Sequence, residues 1–568
     1  MNRRIFLGLA ALLAALAVIV AVSGGFRTTV GGLRISARSP LPIAFLALTN
    51  GMMWLAAARR QQSIAADLEA VWRGIERNSR RIVFAIAIVS TFAAAIFSTR
   101  SAAGADASGY VSEAAMLGSG RLFYVDELSA LTMSADPFLT TPLGWRPAPL
   151  AGRQSPTYPP GLPLLMAVPH AIAGVRGAAM LVILSASIAV IGTGALTSQL
   201  GGGVAALLAA LMLAFTPVFV FQSIQPMSDV PVTAAWIVCL CFAIRTDTRA
   251  SLNSGLACAL AILIRPNLAP LAVVPFVLAL NRAAFSVPVA IAALALAYFQ
   301  WLWYGSPLRS GYGSTGELFS VANIAGNVPR YFNWLLATAP ILFLSVFGFW
   351  RLRRDRSAPA LMAFASMVIG AYLIYAVFDE WSYLRFLLPA IAVLAAFTAV
   401  ELSAWIRRWP PSYRAPILFA LALLVTAHGI WVARSHDTFR LADQMRRVSA
   451  VADYINVDVP PAAVILAGEQ SGSMRYYTGR PILRWEAASP DALAAAIATL
   501  EQSRRPVYVV LDGWEHEPFR AKFAALPIGS LDWPPMLDAG TSHRTQLWKL
   551  ADRERFVRGE NVTTIRLP

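Results

Sequence analysis

Apolar and polar positions alternate in long blocks along most of this chain. Mostly apolar runs recur at 5–22, 41–58, 82–98, 178–198, 204–221, 231–245, 252–264, 268–281, 284–303, 333–350, 359–378, 386–404 and 416–434. A helix needs ~20 mostly apolar residues to cross a bilayer, so these blocks predict about 11–13 transmembrane helices. The runs at 252–264 and 268–281 are the shortest. After residue 434 the pattern changes: 441–455 and 491–502 read as helices, whereas 463–467 and 506–511 are strand-like. The expected fold class is therefore an all-α polytopic membrane protein with a C-terminal soluble α/β domain. Strands separated by helices favour a parallel sheet there.

Three regions follow from this pattern. Residues 1–81 hold two N-terminal helices and a basic loop, 82–434 a membrane core with a large loop at 99–177, and 435–568 the soluble domain. The charges orient the chain. With the N-terminus inside, the inner loops carry Arg59, Arg60, Arg73, Arg77, Arg80 and Arg81, then Arg245 and Arg249, Arg282, Arg351 to Arg356, and Arg407 with Arg408. Inner loops of membrane proteins are rich in Lys and Arg. Arg27, Arg34 and Arg38 run against this trend. The same alternation puts 99–177, 222–231, 304–332, 379–385 and the tail outside. The basic stretch 59–81 is amphipathic and is expected to lie on anionic lipid.

Composition agrees with a lipid-facing chain. Of 568 residues 57% are hydrophobic and 14% charged, with a mean hydropathy of +0.58. A soluble domain carries about a quarter charged residues. The net charge is +16, and Lys522 and Lys549 are the only lysines among 47 basic residues. The arginines lie in short loops between apolar runs, so the charge points to membrane lipid and not to nucleic acid. Cys239, Cys241 and Cys258 all fall in apolar runs and predict neither a disulfide nor a zinc site. The 5–22 run is followed by Ser-Gly-Gly-Phe, a poor cleavage site, and reads as a first membrane helix rather than a signal peptide.

The chemistry gathers in the outer loops. Gly104-Ala105-Asp106-Ala107-Ser108-Gly109-Tyr110 follows the third run, and an amphipathic interfacial helix is expected over 110–117. Glu113 lies about two turns beyond Asp106. Further on, Tyr158-Pro159-Pro160-Gly161 fixes a sharp return to the membrane. Asp229 stands in Pro226-Met227-Ser228-Asp229-Val230-Pro231, where it can also cap the helix opened by Pro231. Arg265 and Arg385 sit at outer ends of runs. A charge there is costly unless paired, and a lipid phosphate would be a suitable partner. Snorkelling to ordinary headgroups is the plainer alternative. The loop 304–313 carries two tyrosines among glycines.

In this order, "DASGYVSEAAMLGSGRL", "YPPGLPLL", the turn at Gly174 and "QPMSDVP" resemble the C-type (GT-C) glycosyltransferase superfamily over about 82–400. Within it the resemblance is to bacterial relatives of protein O-mannosyltransferases and of the aminoarabinose lipid A transferase. The two N-terminal helices have no counterpart in that resemblance. It implies a polyprenyl-phosphate sugar donor and attack by an acceptor hydroxyl with inversion. It also implies a first-loop carboxylate, matched by Asp106, as base. Asp229 matches a second outer acid, and Arg265 with Arg385 match phosphate-binding positions; Tyr158 and Glu113 are secondary substrate-binding candidates. The acceptor is left open among glycan, lipid and protein. No cofactor is expected and no metal ligands are assigned, although a divalent metal stays open because some superfamily members need one. A bacterial inner membrane is the expected location, with the site and the C-terminal domain on the periplasmic face. The rival reading, a transporter or flippase of lipid-linked sugars, calls for internal repeats and mid-membrane charges, and the sequence shows neither.

Overall fold

The computed structural model describes residues 3–567 except 31–32, 38, 61–62, 133–135 and 314. Arg38 thus lies outside the described residues. The N-terminal region holds α1 (Arg3–Ser23), a hairpin of β1 (Phe26–Val30) and β2 (Leu33–Ala37), and α2 (Leu41–Arg60). The hairpin is a departure from the plain loop of the sequence reading. Next comes α3 (Ile64–Phe97), a 34-residue helix. Arg59 and Arg60 of the basic stretch thus end α2, and from Ile64 on the stretch is the first part of a long helix that runs on into the third apolar block. Its start is anchored by buried Asp67, which accepts from Arg3 at 2.7 Å and Arg4 at 2.8 Å.

The large loop at 99–177 opens with α4 (Ala105–Gly118) and continues with β3 (Tyr124–Val125), β4 (Trp145–Pro147) and β5 (Arg153–Pro156), a small antiparallel sheet. Helix α4 is not the amphipathic surface helix expected. Ala107 to Ala114 are all buried, because α4 is covered by α5 below and the C-terminal unit above. Helix α5 (Gly161–Phe215) is broken at Ala173–Gly174 and again at Gly202, where φ is +80°. The two breaks separate an exposed apolar segment bearing Val168 and Ile172 from the expected runs at 178–198 and 204–221.

The core continues with α6 (Pro217–Ser223), α7 (Asp229–Ala243), α8 (Thr248–Ile264), α9 (Val273–Leu278), α10 (Arg282–Tyr304), α11 (Thr315–Leu318) and α12 (Ile324–Thr338). Then follow α13 (Ser345–Leu352), α14 (Ala358–Leu373), α15 (Leu388–Ile406) and α16 (Pro411–Ser435). The expected straight span at 333–350 is bent by 106° at Ala339–Pro340, since proline removes a helical N–H and clashes with the preceding turn. Among the described residues seven helices are long and apolar enough to cross a membrane, or eight counting this bent pair. Four shorter apolar helices account for much of the difference from the 11–13 expected. The span ending in α15 is 89% buried in its most apolar window, against 11% for α1. The former is the centre of the bundle and the latter an outrigger packed on α2 and α16. Arg434 donates to the Val22 carbonyl, which puts the ends of α1 and α16 on one side of the bundle.

The C-terminal unit contains α17 (Leu441–Asp458), β6 (Val464–Ala467), α18 (Ser471–Thr478), β7 (Ile482–Arg484), α19 (Pro490–Gln502) and β8 (Val507–Asp512). It ends with α20 (His516–Lys522), β9 (Leu537–Ala539), β10 (Thr545–Lys549), α21 (Asp552–Val557) and β11 (Ile565–Leu567). The sheet order is β11-β9-β10-β8-β6-β7. Pairs β6–β7, β6–β8 and β9–β11 are parallel, but β10 runs antiparallel to β8 and β9. The sheet is mixed rather than parallel because the short 540–544 connection forms a hairpin, whereas a parallel pair needs a longer crossover. Apolar clusters cover both faces, and β6 and β8 are buried throughout, which explains their unbroken apolar runs.

Candidate active site

Helix α4 starts at Gly104, whose φ of +76° suits glycine and sets the chain's turn out of α3. Asp106, its second residue, does not cap the helix. Its Oδ1 accepts from the Tyr158 hydroxyl at 2.8 Å and its Oδ2 from Arg385 at 2.8 Å. Tyr158 reaches it by packing flat against α4 at Gly109, where any Cβ would collide with the tyrosine ring. The ring also contacts Tyr110, with centroids 4.4 Å apart, and meets Tyr312 edge-on at 5.9 Å. One of the tyrosines of the glycine-rich 304–313 loop thus borders the site.

Asp229 begins α7, so the capping position belongs to Ser228 and Pro231 is the third helical residue. The Asp229 carboxylate accepts from Arg265 at 2.7 Å. Arg265 follows the last turn of α8 and also donates to Ser228 Oγ at 3.1 Å and to the Tyr372 hydroxyl at 3.3 Å. Arg385 lies on the 3-10 turn before α15, 4.0 Å from Asp229. Both guanidiniums sit over the ring of Phe386, at 5.3 and 5.2 Å. Five separate stretches of chain therefore build one cluster of two carboxylates and two guanidiniums.

The electrostatics divide the cluster. Burial works against the Asp106 charge, but Arg385, the Tyr158 hydroxyl and Arg265 together hold its carboxyl below the ordinary range. Burial, and then the Asp106 charge, push the Tyr158 phenol up, so it remains a donor. Two polar atoms in the cluster lack hydrogen-bond partners among the described residues: Arg385 Nε and Asp229 Oδ2. Both atoms are buried, and Arg385 Nε lies 4.0 Å from the other Asp229 oxygen, a second and looser ion pair.

Of the six residues singled out in the sequence, the structure brings together Asp106, Tyr158, Asp229, Arg265 and Arg385. Glu113 stays apart. It is fully buried on α4, neither carboxyl oxygen has a hydrogen-bond partner among the described residues, and burial alone pushes its pKa well up. As to metals, no three His, Cys, Asp or Glu side chains form a candidate ligand group among the described residues. His170 instead bonds the Tyr476 hydroxyl at 2.7 Å.

The sequence reading missed Tyr372, Phe386 and a contact from the C-terminal unit. There, Glu469 Oε1 accepts from the Ala105 N–H at 3.3 Å and Gln470 Oε1 from the Gly104 N–H at 3.1 Å. The signal was present as Gly468-Glu469-Gln470, a polar break at the carboxyl end of the apolar strand β6. Ligand sites of α/β sheets favour such ends.

The fold is shared with solved structures of two proteins. It is similar to ArnT from Cupriavidus metallidurans in the apo state, with a TM-score of 0.52 and 13% identity, covering 83% of this chain and 98% of that one. It is also similar to the archaeal oligosaccharyltransferase AglB from Archaeoglobus fulgidus in complex with an inhibitory peptide and a dolichol-phosphate. There the TM-score is 0.50 and the identity 13%, covering 80% of this chain and 72% of that one. No family model and no curated protein sequence matches the chain.

Proposed function

We propose that this chain is a glycosyltransferase that moves a sugar from a polyprenyl-phosphate donor to an acceptor hydroxyl on the periplasmic face of a bacterial inner membrane. The observation that carries this reading is the outer-boundary cluster in which a half-buried carboxylate, Asp106, adjoins two arginines. The neighbours' fold, and the dolichol-phosphate bound to the archaeal enzyme, agree with it.

In this mechanism Arg385 and Arg265 hold the donor phosphate at the membrane boundary. The acceptor oxygen forms its bond to the anomeric carbon as the bond to phosphate oxygen breaks. The leaving phosphate keeps the electron pair, and the guanidiniums stabilise its charge. Asp106 takes the hydroxyl proton. Because its carboxyl is held below the ordinary range, that transfer comes late, once the bond to phosphate is largely broken. A single displacement inverts the anomeric centre. Asp229 keeps Arg265 in place. The positive charge of the site comes from arginine, so the reading needs no resident metal, and a chelator should leave the rate unchanged.

The test is sugar transfer from radiolabelled polyprenyl-phosphate sugars in membranes holding the wild type or Asp106→Asn at equal, folded abundance. Loss of transfer in the variant is expected. Lipid flipping without transfer, equal in the two proteins, would instead establish the transporter reading.

A further inference from the structure

The C-terminal unit does more than cover the membrane core. Its segment 469–477 touches the outer loop through side chains: Tyr477 accepts from the Ala102 N–H at 2.6 Å, Gln470 from Gly104, Glu469 from Ala105, and Ser471 from the Leu143 N–H at 3.0 Å. Three of these bonds hold the four residues just before Asp106. Glu469 is the charged member, and it accepts from the residue adjacent to Asp106. It is itself fixed: its own N–H donates to Glu515 Oε1 at 3.0 Å, and Glu515 Oε1 also accepts from Trp485 at 3.1 Å. A Cβ at Gly104 would lie 3.2 Å from Glu469 Oε1, so the close approach depends on glycine there.

Resting on the transferase reading above, we infer that Glu469 is a positioning residue of the active site: it fixes the first turn of α4 and, when ionised, strengthens Asp106 as a proton acceptor. The physical reason is local. A negative charge at the start of α4 is favoured by the helix dipole and by the free N–H groups there. The same charge raises the proton affinity of a neighbouring carboxylate and so opposes the pull of Arg385.

The surroundings of Glu469 make the effect pH-dependent. Burial pushes it up to about 7, the Ala105 N–H opposes the rise, and the charges of Glu486, Asp512 and Asp106 add to it. Other groups facing it are Glu515 from the same unit and Tyr383 from the turn before α15. The cations nearby are engaged elsewhere: Arg447 with Asp512 at 3.3 Å, Arg484 with Glu486 at 3.8 Å and Arg385 with Asp106. As pH rises through neutrality Glu469 loses its proton, its charge arrives beside Asp106, and transfer accelerates.

Two measurements on the full-length purified protein test this. The first is kcat/KM against pH for the wild type and Glu469→Gln, which keeps an acceptor for the Ala105 N–H but cannot ionise. The wild type should gain about two- to fivefold between about pH 6 and pH 8, and the variant should stay flat at the lower level. A limb that persists in Glu469→Gln, or is absent from the wild type, overturns the inference. The second follows the carboxyl infrared band and needs no turnover. The difference between wild type and Glu469→Gln should show one carboxyl titrating near neutrality, and Asp106→Asn should move that midpoint down. A midpoint indifferent to Asp106 overturns the inference even in an active enzyme. A coupled midpoint in a protein that transfers no sugar counts against the transferase reading alone.

Discussion

The two acid–arginine pairs of the site look alike in composition and differ in exposure. The Asp106 side chain is 35% exposed, whereas that of Asp229 is 1% exposed; their partners Arg385 and Arg265 are similar, at 13% and 12%. An acceptor hydroxyl can reach the first carboxylate and cannot reach the second without displacing Arg265. The partners' settings differ too. Arg265 spends its donors on Asp229, Ser228 and Tyr372, while Arg385 bonds Asp106 and stands 4.0 Å from Asp229. The same pair of residue types thus serves once as working chemistry and once as scaffold. Both stand in the first turn of a helix, and the burial of that turn decides which: α4 is buried only from Ala107 on, whereas α7 is buried from Asp229 itself.

Substituting the two acids should separate these roles most clearly. Asp106→Asn removes the proton acceptor and should lower kcat/KM by about 10²- to 10⁴-fold, the range expected for losing a general base. Its thermal unfolding should change little, because Arg385 keeps Asp229, 4.0 Å away, as a counter-ion. Asp229→Asn should do the reverse. It leaves Arg265 buried without its counter-ion, a loss of about 3 kcal/mol or more for a pair of this kind, seen as a lowered unfolding temperature in detergent. Equal destabilisation by both substitutions would remove the distinction between them.

How much of this was legible in the sequence differs by level. The apolar blocks locate most of the helices because burial in lipid demands long apolar runs. They announce the break at Gly202, which falls between the runs 178–198 and 204–221, but not the one at Pro340, which lies inside the run 333–350 and acts through a missing donor without changing local hydropathy. The charged residues of the site stand out since each lies at an outer helix end, where an unpaired charge is costly. Their pairing is another matter. Arg385 reaches Asp106 across 279 positions, and Glu469 reaches the same helix from beyond the last membrane helix. Such meetings are set by how helices pack, not by local pattern. Helix α4 misled for the opposite reason: its mixture of small, polar and apolar residues reads as an interfacial helix, but small residues are what a helix needs to be covered closely on two sides. Gly109, which admits the Tyr158 ring, is the clearest instance.

Smaller changes sharpen the comparison within the exposed pair. Arg385→Lys keeps the charge but loses the planar fork that serves Asp106 and a phosphate together. We expect donor KM to rise about tenfold or more, with less change in kcat and no loss of stability comparable to that of Asp229→Asn. Tyr158→Phe should have the smallest effect on rate and the most specific signature. The tyrosine hydroxyl is one of the groups that hold the Asp106 carboxyl low. Removing it should let that pKa rise towards the ordinary value, so the acid limb of kcat/KM moves to higher pH. Near neutrality Asp106 stays ionised in either protein, and it becomes a somewhat stronger base. Against this stands the loss of orientation from one charged hydrogen bond, worth about 1.5–3 kcal/mol when fully expressed. The two effects oppose, and the net loss should be only about three- to tenfold at pH 7. The buried Arg265–Asp229 pair is left intact, so unfolding should be nearly unaffected. An acid limb that does not move would mean that Tyr158 and Asp106 are not bonded in the working enzyme, and the exposed pair would then owe its low proton affinity to Arg385 and Arg265.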